Sequence, residues 1–333
     1  MEIEFKNVNQ GDSILIKWNQ DDKLKIGLID CHSDNDNPSL KFIDENKDII
    51  EEIEFVLISH PHFDHFSGVV DLFKFCERHN IPINQLGFTF DTAVTYAYSS
   101  MATSKAEGLL EFFEYVFKQH RKRTDKTRTI KHTFPINSET ESKNFGEFEM
   151  DFLRPIQKDI MSLAKSFGKF IGKINKSEPN LNVYSSVIEI KKDDKAFLFT
   201  SDAPKNAFKS LAKYYSSRER KFHLVQIPHH GSIHNHELNF WKNIDKVSNC
   251  PSIFSVGDEP KDELPDHQVV DEINKERYKI YSTNNVYGIR QHLGMKKKSS
   301  TKPTIMKLSS KVVSTSKKTT SSSQYVGDKS FKF

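Results

Sequence analysis

Histidine is concentrated in two short windows of this 333-residue chain, and it is there that the sequence indicates chemistry. Eight of its fourteen histidines fall within residues 60–65 and 223–236. The first window follows the apolar run 55–58 and holds three imidazoles and one carboxylate, at His60, His62, Asp64 and His65. Imidazole nitrogens and carboxylate oxygens are common protein ligands of Zn²⁺ and related ions. The window therefore predicts a divalent metal site.

The spacing within this window divides the ligands into two pairs. His60 and His62 are two residues apart, so on an extended segment they face the same side and can share one ion. Asp64 and His65 can then serve a second ion. The alternative is a polar loop that only caps the following helix, with Asp64 near its N-terminus. Three crowded imidazoles repel one another when protonated, and a metal removes this problem by binding the neutral form, which favours the metal site.

Two later segments each end an apolar run on a metal-type ligand. Residues 197–200 lead to Asp202, and residues 224–227 lead to the pair His229 and His230. Each has an ordinary explanation, because Asp202 can cap the helix that follows and paired histidines can be surface turn residues. Three strands that all end in ligand-type side chains favour a shared metal site over three separate coincidences.

The elements that must position these ligands alternate between strands and helices. The chain opens with three short β-type runs separated by turn residues, which predicts an antiparallel meander over MEIEF, SILIKW and KLKIGLID. Further strands are predicted at 55–58, 183–191, 196–200, 222–227 and 252–256, and helices near 38–50, 69–75, 204–216 and 236–243. Strands in both halves with helices between them predict a layered α/β architecture.

Residues 92–175 form a long Phe-rich stretch that we interpret as a helical insertion. We predict a helix over 92–122, a strand over 147–153 and a helix over 157–175. The stretch either caps the ligand cleft or adds a packing layer. The packing layer is favoured because apolar side chains follow the spacing of a core-facing helix, at Phe112, Phe113, Val116 and Phe117.

Charge is divided unevenly between the body of the chain and its C-terminal part. The chain has 49 Lys and Arg against 45 Asp and Glu, a formal net charge of +4. Residues 295–333 hold ten lysines and one aspartate, which leaves residues 1–294 at −5. We predict one domain over 1–294 and a flexible Lys-, Ser- and Thr-rich tail over 295–333. The tail can raise the local concentration of nucleic acid, or it can be a solvated segment with no partner.

The spacing of the cysteines and the hydropathy of the chain indicate the cellular compartment in which the protein works. The three cysteines are Cys31, Cys76 and Cys250, an odd and widely spaced set that cannot form a disulfide framework. The N-terminus lacks the pattern of a secretory signal, and no stretch approaches the roughly 18 apolar residues of a membrane span. We therefore expect a soluble, cytoplasmic protein without a membrane partner. The oligomeric state is not predicted.

The HxHxDH window, with Asp202 and the pair His229 and His230 downstream, resembles the metallo-β-lactamase superfamily. This resemblance implies an αββα four-layer sandwich with one or two metal ions between its sheets. More narrowly, several segments resemble the hydrolase domain of ComEC-type competence proteins across about residues 1–292. These segments are 10–16 (QGDSILI), 28–30 (LID), 185–187 (SSV), 200–202 (TSD) and 229–232 (HHGS).

The resemblance also implies a ligand set. His60 and His62 would hold the first of two divalent ions, Asp64 and His65 the second, and Asp202 would bridge both. His229 or His230 would complete the second site, and the sequence does not separate the two. Superfamily members often place another histidine where this chain has Asn180 and Asn182. Because asparagine is a weaker, neutral oxygen ligand, it favours Mn²⁺ or a half-occupied first site over two tightly held Zn²⁺ ions.

The implied reaction is hydrolysis, because two ions about 3.5–4 Å apart lower the pKa of a bridging water. We assign catalytic roles to Asp64, which would orient the nucleophile, and to His230, and the proton donor would be whichever of His229 and His230 does not bind metal. Ser232 and His234 are candidate contacts to a substrate phosphate. The favoured substrate is a phosphodiester, as in a nuclease.

Two other functions remain open at this point. On the same fold, the chain can hydrolyse a small ester, an amide or a phosphorylated metabolite, which the acidic body favours and the basic tail disfavours. A non-catalytic metal-binding module is less favoured, because a structural zinc site usually has four closed ligands rather than an open pair of sites.

Overall fold

The computed structural model describes residues 1–34, 36–89, 104–122, 127–171, 180–258, 263–295 and 324–333. These residues form fourteen strands in two sheets. In chain order the strands are β1 Glu2–Phe5, β2 Ser13–Gln20, β3 Lys23–Cys31, β4 Ile53–Ile58, β5 Ile83–Phe88, β6 Ile130–Pro135, β7 Lys143–Asn144, β8 Glu149–Arg154, β9 Val187–Lys192, β10 Lys195–Phe199, β11 Phe222–Gln226, β12 Pro251–Phe254, β13 Lys279–Ser282 and β14 Lys329–Lys332.

Each sheet is mixed. The first runs β14-β1-β2-β3-β4-β5-β6, with antiparallel pairing up to β3 and parallel pairing from β3 to β6. The second runs β13-β12-β11-β10-β9-β8-β7, with parallel pairing from β10 to β13 and antiparallel pairing from β7 to β10. The antiparallel pairing of β1 with β2 and of β2 with β3 confirms the predicted opening meander.

Helices cover the outer face of each sheet. They are α1 Pro38–Glu45, α2 Phe63–Phe66, α3 Val69–His79, α4 Ser104–Arg121, α5 Gln157–Ile171, α6 Lys205–Tyr215, α7 Leu238–Asn243, α8 His267–Lys275 and α9 Tyr287–His292. Short 3₁₀ turns span Leu181–Tyr184 and His229–Gly231.

Three apolar layers hold these elements together. Buried residues of α1 to α5 pack on the outer face of the first sheet, and those of α6 to α9 pack on the second. A third cluster lies between the sheets and includes Ile14, Ile16 and Trp18 of β2. Leu15 of the same strand points the opposite way, into the α-helical layer, so β2 is buried on both faces. The fold is the predicted α/β sandwich, with two mixed sheets flanked by helices.

Residues 92–175 differ from the predicted insertion because they contribute strands to both sheets. β6 extends the first sheet beside β5, and β8 pairs with β9 in the second. The helices at 104–121 and 157–171 agree with the sequence, as does the strand at 149–154. Phe112, Phe113 and Val116 are buried on the first sheet, which supports the packing-layer interpretation, whereas Phe117 is exposed. The predicted helical residues 92–103 and 172–175 lie outside the described part of the chain.

A second local difference concerns residues 183–191, which we predicted as one strand. The strand starts only at Val187, because the Asn180 side chain accepts a hydrogen bond from the backbone N–H of Asn182 and starts a 3₁₀ turn over Leu181–Tyr184.

The C-terminal residues correct the prediction of a flexible tail. β14 pairs antiparallel with β1, so residues 329–332 belong to the first sheet and form its edge strand. Phe331 and Phe333 alternate with Lys332, which directs both rings inward. The Phe333 ring lies 4.5 Å from the Phe197 ring of the second sheet. Residues 296–323 of the predicted tail lie outside the part of the chain that the structure describes.

We predict that Phe333→Ala lowers the free energy of unfolding by about 1–3 kcal/mol, since it removes a partly buried ring that joins the sheets. Urea denaturation followed by circular dichroism measures the change. Lys332→Ala is the matched control, because its side chain is exposed and a change within about 0.5 kcal/mol is expected. Equal stability of the wild type and Phe333→Ala would show that this ring does not hold the sheets together.

In the described helices, no segment is long and apolar enough to span a membrane. Cys31, Cys76 and Cys250 are buried and unpaired. The predicted cellular location stays a prediction.

Candidate metal centre

The ligand-type residues meet at the edge of the sandwich where the parallel strands end. β4 ends at Ile58 and leads to His60, β10 ends at Phe199 and leads to Asp202, and β11 leads to His230. Parallel strands present their carboxyl ends at one edge of a sheet, so loops from both sheets can contribute to a single cleft. The structure brings together His60, His62, Asp64, His65, Asp202, His229 and His230.

Four of these side chains form a compact group, here called the four-donor cluster, of Asp64, His65, Asp202 and His230. His65 Nε2 lies 3.8 Å from Asp64 Oδ2 and 3.6 Å from Asp202 Oδ1. His230 Nε2 lies 3.5 Å and 3.9 Å from the same two oxygens. Ligands at about 2.1 Å around a tetrahedral ion are about 3.4 Å apart. The spacing of the four atoms therefore matches the coordination shell of a divalent ion.

Hydrogen bonding supports the same conclusion. His65 Nε2, His230 Nε2 and Asp202 Oδ1 are buried and have no hydrogen-bond partner among the described residues. A buried polar atom without a partner costs about 1–3 kcal/mol, so three that face one another need a common partner. A divalent cation meets this need, and the residues present fit such an ion.

The charges of the cluster are balanced internally. Burial alone would lower the pKa of His65, but the carboxylates of Asp30, Asp202 and Asp64 outweigh burial and raise it well above the ordinary histidine value. Burial also opposes protonation of His230, yet Asp202 and Asp64 raise its pKa to about 9. The neighbouring imidazoles hold the pKa of Asp202 well below its usual range despite burial. Imidazole protons thus supply the positive charge that a divalent ion would supply in their place.

A second group of donors faces the other oxygen of Asp202. His60 Nε2 lies 3.7 Å and His229 Nε2 lies 3.5 Å from Asp202 Oδ2. His62 Nδ1 lies 2.8 Å from His60 Nε2. Asp202 therefore stands between two groups, with one oxygen toward each, which is the geometry of a bridging carboxylate.

The structure separates the roles of His229 and His230, which the sequence left open. Both residues have positive φ, 48° and 54°, and Gly231 follows at 84°, so the turn directs the two rings differently. His230 Nδ1 donates to the Ser255 carbonyl oxygen, which leaves Nε2 for the four-donor cluster. His229 Nδ1 donates to Asn235 Oδ1, and about a third of the side chain is exposed.

Two residues predicted as possible metal or substrate contacts, Asn180 and Asn182, do not line the cleft. Asn180 is exposed and caps the 3₁₀ turn at 181–184. Asn182 is buried, and its Oδ1 has no hydrogen-bond partner within the described ranges. Neither side chain is among the described residues that line the cleft, so the geometry gives no support to a ligand role for them.

The cleft in front of the metal centre has a volume of about 520 Å³. Ser232 and His234, the predicted substrate contacts, line it together with Gln10. Its described lining includes the acidic residues Glu263 and Asp266 but neither lysine nor arginine.

Three buried residues beside the ligands were not predicted as part of the site. Asp30 accepts a hydrogen bond from His65 Nδ1 at 2.7 Å, which fixes the tautomer of that ring. Asp12 and Gln226 bond to each other at 2.8 Å. Asp12 and Asp30 lie in the segments 10–16 and 28–30 that carry the family resemblance, but no site role was predicted for either.

We predict that His230→Ala lowers the affinity for the most tightly held ion by more than about 100-fold, whereas His229→Ala leaves it unchanged within about threefold. Removal of a direct ligand should lower the metal affinity by more than the 10- to 100-fold loss that follows removal of a residue that only bonds to a ligand. Elemental analysis after dialysis against a weak chelator measures both variants, and each serves as the control of the other. Equal losses in the two would contradict the separation of their roles.

Comparison with known proteins agrees with this site. A family model for the metallo-β-lactamase superfamily matches residues 7–83, the segment that contains the HxHxDH window. This segment of the chain matches the metallo-β-lactamase superfamily. No similar sequence was found among curated proteins. The finer resemblance to ComEC-type hydrolase domains stays a prediction.

Solved structures similar to this chain were also found. They include Zn²⁺-bound PqqB from Methylobacterium extorquens, with 8% identity over 85% of this chain and 98% of that chain and a TM-score of 0.45. The metallo-β-lactamase fold protein YhfI from Bacillus subtilis has 10% identity over 84% and 94%, with a TM-score of 0.42. The short form of human tRNase Z has 12% identity over 68% and 76%, with a TM-score of 0.37.

Proposed function

We propose that this protein is a metal-dependent hydrolase that cleaves phosphodiesters. The observation that carries the proposal is the four-donor cluster, whose buried and unpaired nitrogen and oxygen atoms face one another at ion-ligand spacing. Asp64, His65, Asp202 and His230 would hold one ion, and His60, His62 and Asp202 would hold a second, weaker one. Zn²⁺ and Mn²⁺ suit these donors.

Bound ions of this kind activate water near neutral pH and stabilise charge on a phosphoryl oxygen. The exposed fractions of the two carboxylate side chains indicate different roles for them. The Asp64 side chain is 33% exposed to the cleft, whereas that of Asp202 is 2% exposed. Asp64 is therefore the carboxylate that can orient an attacking water, and Asp202 acts only as a ligand.

His229 is better placed than His230 to donate a proton to the leaving oxygen. The sequence indicates His230 as catalytic and leaves the proton donor open between the two, but His230 Nε2 is buried within the four-donor cluster. His229 lines the cleft, about a third of its side chain is exposed, and Asn235 holds the ring by its Nδ1–H. Protonated His229 can donate from Nε2 while Asn235 keeps the ring in place.

Charge in the cleft favours phosphodiesters over phosphomonoesters. Glu263 and Asp266 would repel the second negative charge of a monoester, and the described lining offers no lysine or arginine to offset it. Ser232 and His234 can contact a singly charged diester by hydrogen bonds.

Two kinds of phosphodiester remain as substrates. The lysines of the segment 296–323 support nucleic acid, since they would add affinity by counterion release. The absence of lysine and arginine from the described cleft lining supports a small diester instead. Within the basic run 118–128 (KQHRKRTDKTR), the described residues Lys122 and Arg128 give nucleic acid little further support, because Lys122 pairs with Glu77 and Arg128 bonds to backbone carbonyls.

A substrate panel tests the proposal. Metal-loaded protein is incubated with labelled single- and double-stranded DNA and RNA, with bis(p-nitrophenyl) phosphate and with p-nitrophenyl phosphate. We expect the diester to be hydrolysed at least about tenfold faster than the monoester. Cleavage of a polymer supports the nuclease, and cleavage of the small diester alone supports the second candidate. Hydrolysis of none of these substrates, with bound metal demonstrated, would contradict the proposal and leave a hydrolase of esters or amides, or a non-catalytic metal-binding module.

A further inference from the structure

Gln226 lies at the end of β11 and forms a buried connection between the two ligand loops. Its side chain is 2% exposed. Its Oε1 accepts hydrogen bonds from the backbone N–H groups of Thr200 and Ser201, at 3.0 Å each. Its Nε2 donates to Asp12 Oδ2 at 2.8 Å. Because the oxygen faces two donors and the nitrogen faces a carboxylate, the orientation of this amide is fixed by its neighbours.

On the second sheet, Gln226 fixes the backbone that immediately precedes Asp202. Ser201 has a φ of 45°, an unfavourable conformation for a residue with a side chain. The two hydrogen bonds to Gln226 Oε1 hold Thr200 and Ser201 in this conformation, and the Thr200 hydroxyl also donates to the Gln226 carbonyl oxygen. The direction of the Asp202 side chain follows from this turn.

On the first sheet, Asp12 continues the connection to the other ligand carboxylate. The backbone N–H of Asp12 donates to the carbonyl oxygen of Asp64 at 3.1 Å. Gly11 allows this approach, since a Cβ atom there would lie 2.3 Å from the same oxygen. A continuous path of hydrogen bonds therefore runs from Asp64 through Asp12 and Gln226 to the turn before Asp202.

We propose that Gln226, paired with Asp12, is a positioning residue that sets the separation of the Asp64 and Asp202 carboxylates across the two sheets. The inference rests on the proposed metal-dependent function, because its consequence is the geometry of the ion. Two ligand loops on separate sheets need such a connection, since a shift of about 1 Å between them would change the coordination shell. Gln226 touches neither ligand side chain in the contacts described, so it acts through the backbone and through Asp12.

The pairing of Gln226 with Asp12 can be tested by exchanging the amide and the carboxylate between the two positions. Gln226→Glu keeps oxygen acceptors for Thr200 and Ser201 but places a second carboxylate against Asp12. Asp12→Asn combined with Gln226→Glu restores a donor and an acceptor, with the charge moved to the other partner. Gln226→Met keeps the volume and removes all three side-chain hydrogen bonds. Tyr215→Phe is the matched control, because it removes a buried 2.6 Å hydrogen bond to Glu189 in the same half of the fold.

Each full-length variant is loaded with Co²⁺, and its affinity and visible absorption spectrum are measured by titration against a chelator. We expect Gln226→Met and Gln226→Glu to bind 10- to 100-fold more weakly than the wild type, with altered spectra. The double variant should bind Co²⁺ with an affinity within about threefold of the wild type. Tyr215→Phe should lower the unfolding temperature without changing affinity or spectrum.

Wild-type affinity and spectrum in Gln226→Met would overturn the inference, as would failure of the double variant to recover. If Gln226→Met does not fold, the exchange of charge between positions 226 and 12 carries the test. A wild type that binds no Co²⁺ would instead refute the proposed metal-dependent function, so the two failures are distinguishable.

Discussion

Asp202→Asn is expected to lower phosphodiester hydrolysis by more than about 100-fold and to release both ions. One oxygen of Asp202 faces His65 and His230, and the other faces His60 and His229. The amide removes the negative charge from both groups while it preserves the volume of the side chain. Loss of an outer partner of a metal ligand already costs 10- to 100-fold in affinity or activity, so loss of a shared ligand should exceed that range.

The experiment measures the hydrolysis rate and the metal content of the same preparation. Asp194→Asn is the matched control, because Asp194 lies exposed in the turn between β9 and β10 and should leave both quantities at the wild-type level. If Asp202→Asn kept its ions and its rate, Asp202 would not be a shared ligand and the proposed centre would be wrong.

The second large effect is on stability. Removing the ions with a chelator should lower the unfolding temperature by several degrees, on the order of 5–10 °C. An ion at 1,000 times its dissociation constant stabilises the folded state by about 4 kcal/mol. At about 2.1 cal/mol/K of unfolding entropy per residue, 1 kcal/mol corresponds to about 1.4 °C in a chain of 333 residues, so a shift of about 6 °C is expected. The chelator would leave His65 Nε2, His230 Nε2 and Asp202 Oδ1 buried, with no hydrogen-bond partner in the described part of the chain.

Differential scanning calorimetry with and without chelator measures this shift, and Zn²⁺ or Mn²⁺ added back should reverse it. His230→Ala supplies the control, because its chelator-dependent shift should be much smaller than that of the wild type. An unfolding temperature that does not respond to chelator or to added metal in the wild type would show that the cluster is stable without an ion.

The residues that meet at the candidate metal centre could be picked out from the sequence because their signals are local. His60, His62, Asp64 and His65 are crowded into six residues after an apolar strand, and Asp202 and His230 also follow apolar strands. The separation of His229 from His230 could not be predicted, because it depends on the backbone angles of a turn that the residue types alone do not specify.

The supporting residues could not be predicted because their contacts are long-range. Asp12 and Gln226 are 214 positions apart in the chain, and neither has a local pattern that indicates its partner. The final strand was missed for a different reason. Its four residues, Lys329–Lys332, follow a long segment rich in Ser, Thr and Lys, and so short an alternation is a weak signal of a strand.

The most direct test of the central claim is hydrolysis of bis(p-nitrophenyl) phosphate by metal-stripped protein resupplied with Mn²⁺, Zn²⁺ or Mg²⁺, in the wild type and in Asp64→Asn. Asp64 combines a place in the four-donor cluster with exposure to the cleft, so its amide variant should affect both binding and catalysis. We predict hydrolysis by the wild type only after metal is restored, and at least a 100-fold loss in folded Asp64→Asn. Hydrolysis that needs no metal, or that Asp64→Asn retains, would contradict the assignment of this cluster as the catalytic centre.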